Sequence, residues 1–199
     1  MSKILILLLP LMVFIGYFFY DKKIEKNSLP LSNNSTGSSI EVVKEFSLKS
    51  LDNQVFTLHA SHKKVIIDEL TDKIVFLKIF GWQCQYCQKE IPELIELKND
   101  FFDTFDVIAL ESQKHSEKEN LEEIKKHKIN YHIVSGNGYD DFYAYLKKEY
   151  KWQGIIPVTM IIGEKGEVLA FEEGSKSYTL TGLLKMALER REIAKQIAE

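Results

Sequence analysis

Two cysteines, Cys84 and Cys87, are the residues of this chain whose type and spacing most directly suggest chemistry. An apolar run with β-strand character, Ile74 to Phe80, precedes them, and a helical pattern from Glu90 to Asn99 follows them. A C-x-x-C pair between a strand and a helix is typical of a redox site. The free N–H groups and partial positive charge at the start of the helix favour the thiolate, which is the attacking form of cysteine. At helical spacing, Cys84, Cys87 and Glu90 share one face.

The composition limits the classes of protein to which the chain can belong. Its 199 residues, 45% apolar and 28% charged, suit one globular domain with an appendage. A formal net charge of -3 argues against binding of nucleic acid, which usually requires a concentrated basic face. The 2 cysteines are too few for a disulfide scaffold or a four-thiolate zinc site, but they suffice for one reversible disulfide. We expect a monomer.

The N-terminal segment indicates attachment to a membrane. Residues 4–20 carry no charge and, as a helix, would extend roughly 25 Å, a short but sufficient membrane span. We interpret residues 1–21 as an uncleaved anchor. A cleaved signal peptide and a buried core helix are the alternatives, although no small-x-small cleavage site follows the run. Residues 22–39 are polar and predict a flexible linker, so the folded domain is expected over residues 40–199.

The alternation of strands and helices predicts an α/β fold. The predicted strands are Ile40–Leu48, Val55–Leu58, Ile74–Phe80, Asp106–Leu110, Tyr131–Val134, Val158–Ile162 and Glu167–Phe171, and the predicted helices are Glu90–Asn99, Ser116–Lys128, Tyr139–Tyr150 and Thr179–Ala198. The type of a short apolar run, Lys64 to Leu70, stays open. This order predicts a central mixed sheet with helices on both faces, preceded by an N-terminal hairpin and closed by an antiparallel hairpin.

Three stretches of the sequence together resemble a known family. They are Phe46-Ser47-Leu48 with Leu51-Asp52 and Phe56-Thr57-Leu58; Cys84-x-x-Cys87-x-x-Glu90-Ile91-Pro92-x-Leu94; and Gly154-x-x-Pro157-x-Thr159. In this order they resemble the N-terminal hairpin, the active-site helix and the cis-proline segment of the thioredoxin superfamily. Within it they are most similar to the membrane-anchored TlpA/ResA/CcmG group of thiol–disulfide oxidoreductases. The resemblance spans about residues 41–190 and implies a thioredoxin-like fold.

The resemblance also implies roles for individual residues. Cys84 would be the nucleophile and Cys87 the resolving thiol of a dithiol–disulfide exchange. Glu90 would tune the pair and accept a proton, unless it is a solvated glutamate with a lysine partner. Pro157 would follow a cis bond after Ile156 and pack against Cys84. The residues that we expect to contact the substrate are Trp82, Tyr86 and Ile156.

The sequence departs from the family pattern in three places. Lys78 lies where the family usually has an acidic or amide residue, six positions before the first cysteine. We expect its ammonium to extend to solvent at the end of the sheet; an inward position would instead lower the pKa of a thiol. The tryptophan that commonly precedes the first cysteine directly is displaced to Trp82, with Gln83 in its place. The stretch 59–72 is longer than is typical.

We therefore expect a membrane-tethered thiol–disulfide oxidoreductase whose domain faces the periplasm or another extracytoplasmic space. The expected reaction is reduction of protein disulfides, for example in cytochrome c maturation, with electrons from a membrane thiol donor. The alternatives are a disulfide-introducing oxidase or isomerase, and a carrier that binds copper or zinc through both thiolates. His59 and His62 could join such a metal site, but we expect no metal there and no cofactor beyond the Cys84–Cys87 disulfide. The expected partners are protein thiols and disulfides and the membrane.

Overall fold

A computed structural model describes residues 43–175 and 177–198. Its strands are β1 (Lys44–Lys49), β2 (Val55–Ala60), β3 (Val65–Ile67), β4 (Ile74–Phe80), β5 (Phe105–Glu111), β6 (His132–Ser135), β7 (Val158–Ile162) and β8 (Val168–Glu173). Its helices are α1 (Gln85–Asp100), α2 (Glu117–His127), α3 (Asp140–Tyr150) and α4 (Leu180–Ala198). The anchor and linker predicted over residues 1–39 lie outside these ranges. Within them, none of the helices combines the length and the apolar character that crossing a membrane requires.

Two sheets form the framework. The larger has the strand order β6-β5-β4-β7-β8, in which β4, β5 and β6 are parallel and β7 and β8 are antiparallel to their neighbours. The smaller is an antiparallel sheet with the order β1-β2-β3. The predicted order of elements, the mixed sheet and the closing hairpin are all confirmed. Because β4 lies at the centre of the large sheet, the residues that follow it emerge between β5 and β7.

Strand β4 separates two halves of the core. Ile74, Phe76 and Phe80 pack with α1 and α4 on one face, together with residues of β5. The intervening residues, Val75, Leu77 and Ile79, pack on the other face with α3 and the small sheet. A strand covered on both faces has apolar residues at successive positions, which explains why this segment lacks the polar–apolar alternation of a half-exposed strand. Lys78 is the exception, and it is described with the site.

Several element bounds differ from the prediction for identifiable reasons. The run whose type was open forms β3 and a short 3₁₀ turn, Asp68–Leu70, and β3 extends the N-terminal hairpin by pairing with β2. The long stretch 59–72 thus supplies a third strand. The first described strand begins at Lys44, and residues 40–42 lie outside the described range. Helix α1 begins at Gln85 rather than at Glu90, because Cys84 caps it.

Packing of α1 on the sheet should dominate the stability of this region. Leu94→Ala removes a side chain that is 3% exposed, and we expect the free energy of unfolding to fall by about 2–5 kcal/mol because a cavity is left. Leu121→Ala, at a helical position that is 45% exposed, is the matched control and should change it by less than about 0.5 kcal/mol. Urea unfolding of the oxidised protein measures both. Equal losses would show that α1 does not pack as described.

Candidate active site

Cys84 and Cys87 lie where the chain leaves β4 and enters α1. They form a disulfide with a Cα–Cα distance of 5.2 Å. Cys84 is the N-cap of α1 in an extended backbone conformation, and its Sγ accepts a hydrogen bond from the backbone N–H of Cys87 at 3.2 Å. The turn before the helix is closed by the N–H of Cys84, which donates to the carbonyl of Gly81 at 3.1 Å. The first sulfur therefore lies at the positive end of a helix of 16 residues.

The two cysteines differ in exposure. Cys84 is half-buried, whereas Cys87 is 2% exposed and packs in the core on the α1 side of the sheet. Cys84 is therefore the more accessible residue of the pair to an incoming molecule. This asymmetry fits the predicted roles of nucleophile and resolving thiol, which stay predictions because exposure does not measure reactivity.

The proline segment lies directly against the first cysteine. The bond between Ile156 and Pro157 is cis, as the resemblance implied. The carbonyl oxygen of Ile156 lies 4.0 Å from the Sγ of Cys84, so the expected contact between this segment and the redox pair is confirmed. The carbonyl of Pro157 accepts from the N–H of Gly174, which ties the segment to the residues after β8. Contact of Ile156 with a substrate stays a prediction.

Two apolar side chains are exposed next to this contact. Tyr86, inside the C-x-x-C pair, is 52% exposed, and Ile155, immediately before Ile156, is 54% exposed. Lys89 lies over the Tyr86 ring at 5.4 Å from its centroid. The position of Tyr86 allows the substrate contact that was predicted for it, although the contact itself stays a prediction.

The prediction that Trp82 contacts substrate is wrong for its side chain. Trp82 is 4% exposed, and its indole Nε1–H donates to Oδ1 of Asn120 at 2.7 Å. Its ring packs edge-on against Phe80 and stacks on His127. Asn120 is fully buried in α2, a helix that begins with a capping box formed by Ser116 and Glu119. The buried indole thus supports the turn before Cys84 from the interior of the protein.

A second support for this turn was not predicted. The backbone N–H of Gln83 donates to Oε1 of Gln113 at 2.8 Å, and the N–H of Gln113 donates to Oε1 of Glu111 at 2.7 Å. Glu111 is 0% exposed at the end of β5, and its carboxylate also contacts His115. The signal for this group was a glutamate directly after an apolar strand, at the edge of the sheet where the cysteines lie.

The expectation that Lys78 extends to solvent is also wrong. Lys78 is 1% exposed, and its Nζ donates to Oε2 of Glu90 at 2.8 Å and to Oγ1 of Thr159. Lys78 and Thr159 are register partners in β4 and β7, and α1 covers this face of β4, so the side chain has no route to water. Burial lowers the pKa of Lys78, while the charges of Glu90 and Glu93 oppose that shift.

Glu90 combines features of both readings that the sequence left open. It has a lysine partner, but that lysine is buried, and 22% of the Glu90 side chain remains exposed. The carboxylate lines a groove of about 250 Å³ beside α1, together with Tyr86, Glu93 and Tyr178. Its charge reaches the phenol of Tyr131, whose pKa is raised first by burial and then by Glu90.

The two histidines considered for a metal site have other partners. His59 pairs with Asp68 at 3.1 Å, and His62 pairs with Glu149 at 3.3 Å. Over residues 43–175 and 177–198, no group of three or more His, Cys, Asp or Glu side chains is placed to hold a metal ion. The described part of the chain therefore offers no histidine ligand to complete a two-thiolate site.

Comparison with known proteins agrees with this fold. Residues 41–171 match the AhpC/TSA family. The pneumococcal exposed lipoprotein thioredoxin from Streptococcus pneumoniae has 18% identity, with 73% of this chain and 99% of that chain covered and a TM-score of 0.54. The thioredoxin domain of a thiol-disulfide oxidoreductase from Bacteroides vulgatus has 20% identity, with 78% and 99% covered and a TM-score of 0.54.

A third solved structure extends the comparison. A thiol:disulfide interchange protein of the thioredoxin family from Chlorobium tepidum has 20% identity, with 72% of this chain and 93% of that chain covered and a TM-score of 0.53. At such identities the three structures establish the fold alone, and with the family match they confirm the resemblance to the thioredoxin superfamily. No curated protein matches the chain significantly.

The difference in exposure predicts unequal alkylation of the reduced protein. Iodoacetamide should modify Cys84 at least about tenfold faster than Cys87, because Cys84 is accessible at the helix N-terminus and Cys87 is 2% exposed. Peptide mass spectrometry after short exposure measures the two rates. Cys84→Ser is the control, in which only the slow modification of Cys87 should remain. Equal rates in the wild-type protein would contradict the asymmetry.

Proposed function

The chain belongs to the AhpC/TSA family, and from that premise we propose that it is an extracytoplasmic thiol–disulfide oxidoreductase that reduces disulfides in other proteins. The observation that carries the proposal is the Cys84–Cys87 disulfide at the N-terminus of α1, with the carbonyl of Ile156 4.0 Å from the Sγ of Cys84. Such a pair stores two electrons and needs no other cofactor. A strand-like substrate could place its own sulfur next to Cys84 while it bonds to the proline segment.

The first step forms a mixed disulfide. In the reduced protein the thiolate of Cys84 attacks one sulfur of a substrate disulfide, the substrate S–S bond breaks, and the second substrate sulfur leaves as a thiolate that takes up a proton. Hydrogen bonding from the N–H of Cys87 and the positive end of α1 stabilise the attacking thiolate. Cys84 is the accessible sulfur, so it makes the intermolecular bond.

The second step releases the substrate. Cys87 loses its proton and attacks Cys84, which breaks the mixed disulfide and leaves the substrate as a dithiol and the protein as the Cys84–Cys87 disulfide. Glu90, three residues further along α1, is the proposed acceptor for the proton of Cys87. Two electrons have then passed to the substrate. A membrane thiol donor is proposed to restore the dithiol by the reverse exchange.

The surface around Cys84 suits a protein substrate. Tyr86 and the exposed Ile155 provide apolar contact area beside the sulfur, and the backbone of Ile156 provides a hydrogen-bond acceptor. Backbone pairing with an extended segment would give affinity without strict sequence selection, while the exposed side chains would select what flanks the substrate cysteine. With a net charge of -3, nucleic acid is not a proposed partner.

The uncharged run over residues 4–20 and the polar stretch after it support a tether to the cytoplasmic membrane with the domain outside the cytoplasm. Protein disulfides, the proposed substrates, form and persist in such a compartment, since cytosolic thiols are kept reduced. Reduction of apocytochrome c before haem attachment is the task that we propose from the resemblance to the TlpA/ResA/CcmG group. The tether would keep the domain near its membrane electron donor.

Trapping of the intermediate tests the assigned roles. Reduced Cys87→Ser protein mixed with oxidised insulin should accumulate a mixed disulfide through Cys84, because the resolving thiol is missing. Cys84→Ser is the matched control and should accumulate at most a small fraction of that adduct. Non-reducing electrophoresis followed by mass spectrometry identifies the linked residues. An adduct that forms mainly through Cys87 would reverse the roles.

The direction of electron flow follows from the reduction potential of the pair. A reductase should have a potential near roughly -270 mV or lower, whereas an oxidase or isomerase would lie near roughly -120 to -180 mV. Titration of the wild-type protein in a dithiol redox buffer, with the two thiols counted by mass spectrometry, measures the value. A potential in the higher range would replace the reductase by an oxidase. Absence of a reversible two-electron couple would refute the enzyme and make metal content the next measurement.

A further inference from the structure

A buried lysine joins three elements that build the redox site. Lys78 in β4 donates to Glu90 in α1 at 2.8 Å and to Thr159 in β7. Strand β4 leads to Cys84, α1 is capped by Cys84 and contains Cys87, and β7 follows Pro157. Since Lys78 is 1% exposed, these two contacts replace water that its ammonium would otherwise bind.

The charged groups around this lysine are mainly acidic. From α1, Glu90 faces Lys78 directly and Glu93 acts on it through its charge. Glu93 itself accepts hydrogen bonds from the backbone and hydroxyl of Thr181 at the start of α4. From β8, Glu172 is the register partner of Thr159 and lines the same groove. The other titratable groups beside this groove in the described part of the chain are Tyr86 and Lys89 on α1, Tyr131 before β6 and Tyr178 before α4.

Glu90 is close to the redox pair by helical geometry. Cys87 and Glu90 are three residues apart in α1, a spacing that places their Cβ atoms about 5–6 Å apart on one face. A carboxylate at that distance disfavours a thiolate, whereas an ammonium next to the carboxylate offsets its charge. The ion pair of Lys78 and Glu90 therefore presents far less negative charge to the sulfurs than a glutamate alone would present.

We propose that Lys78 is a positioning residue for the redox pair: its ammonium holds the Glu90 carboxylate against β7 and balances its charge, so that Cys84 ionises more readily than it would above a lone glutamate. The inference rests on the proposed function in taking Cys84 as the attacking thiol. It assigns a role to one of the residues that depart from the family pattern, in which an acidic or amide residue usually lies at this position of the strand.

The test is the pH dependence of alkylation of Cys84 in the reduced full-length protein. The rate with iodoacetamide is measured from pH 5 to pH 10 and its midpoint gives the pKa of the thiol. Lys78→Met should raise the midpoint by about one pH unit, because Glu90 loses its counter-charge. Glu90→Gln should lower it, because the carboxylate charge beside Cys87 is lost while Glu93 still acts on Lys78 through its charge. The double variant Lys78→Met, Glu90→Gln should return close to the wild-type midpoint.

A matched control separates this role from simple loss of a buried ion pair. Lys98 also lies on α1, is 15% exposed and pairs with the buried Asp106 at 2.9 Å. It is eleven residues beyond Cys87, or about 16 Å along the helix. Lys98→Met should reduce stability in urea without moving the midpoint. A purely structural Lys78 would behave like Lys98, with altered stability and an unchanged midpoint, and that result would overturn the proposal.

Two further outcomes keep the test decisive. If Lys78→Met does not fold, Glu90→Gln alone still tests the direction in which the alkylation midpoint of Cys84 shifts. An unchanged or raised midpoint in that variant refutes the role of Lys78. Alkylation needs reduced thiols but no substrate and no turnover, so it gives an answer even if the wild-type protein lacks a reversible couple. In that case the proposed reductase activity is refuted. The role of Lys78 is still decided by the alkylation midpoints of Cys84 in the wild-type and variant proteins.

Discussion

Helix α1 packs across one face of β4, and the positions of the reactive groups depend on this contact. The side chains of Ile91, Leu94 and Leu97 are buried against the face of the large sheet to which Phe76 and Phe105 contribute their side chains. Because the first turn of α1 must then lie at the end of β4, Cys84 is placed at a helix N-terminus and Cys87 beneath it. Hydrophobic burial thus holds Cys84 in a backbone setting that favours its thiolate.

The parts of the fold that periodicity controls could be predicted from sequence. The order of strands and helices, the two-sided cover of Ile74–Phe80 and the capping box at Ser116 all follow from local patterns, which report burial and hydrogen bonding within a few residues. The cis bond before Pro157 and the contact of this segment with Cys84 were instead predicted from the family resemblance. A proline in isolation would not have specified either.

The side-chain partners of the site could not be predicted, because they join residues far apart in the sequence. Lys78 meets Thr159 across 81 positions and Trp82 meets Asn120 across 38. For Lys78 the general preference of lysine for solvent gave the wrong prediction, because α1 covers the strand and Glu90 pairs with the ammonium. For Trp82 the family resemblance led to the expectation of a substrate contact. Its indole N–H instead donates a hydrogen bond to the buried side-chain amide of Asn120.

The energetics of Lys78 argue that its charge is retained for chemistry rather than for stability. Burial lowers its folded pKa below the unfolded value, so the unfolded state binds more protons between those two values and stability increases with pH through that window. Burial of the ammonium therefore carries a desolvation cost that Glu90 and Glu93 only partly offset. An apolar side chain in β4 would avoid that cost but would leave Glu90 alone beside Cys87. A buried cation whose nearest acid lies one helical turn from a redox cysteine affects the sulfur through charge, and that effect is independent of any gain in folding free energy.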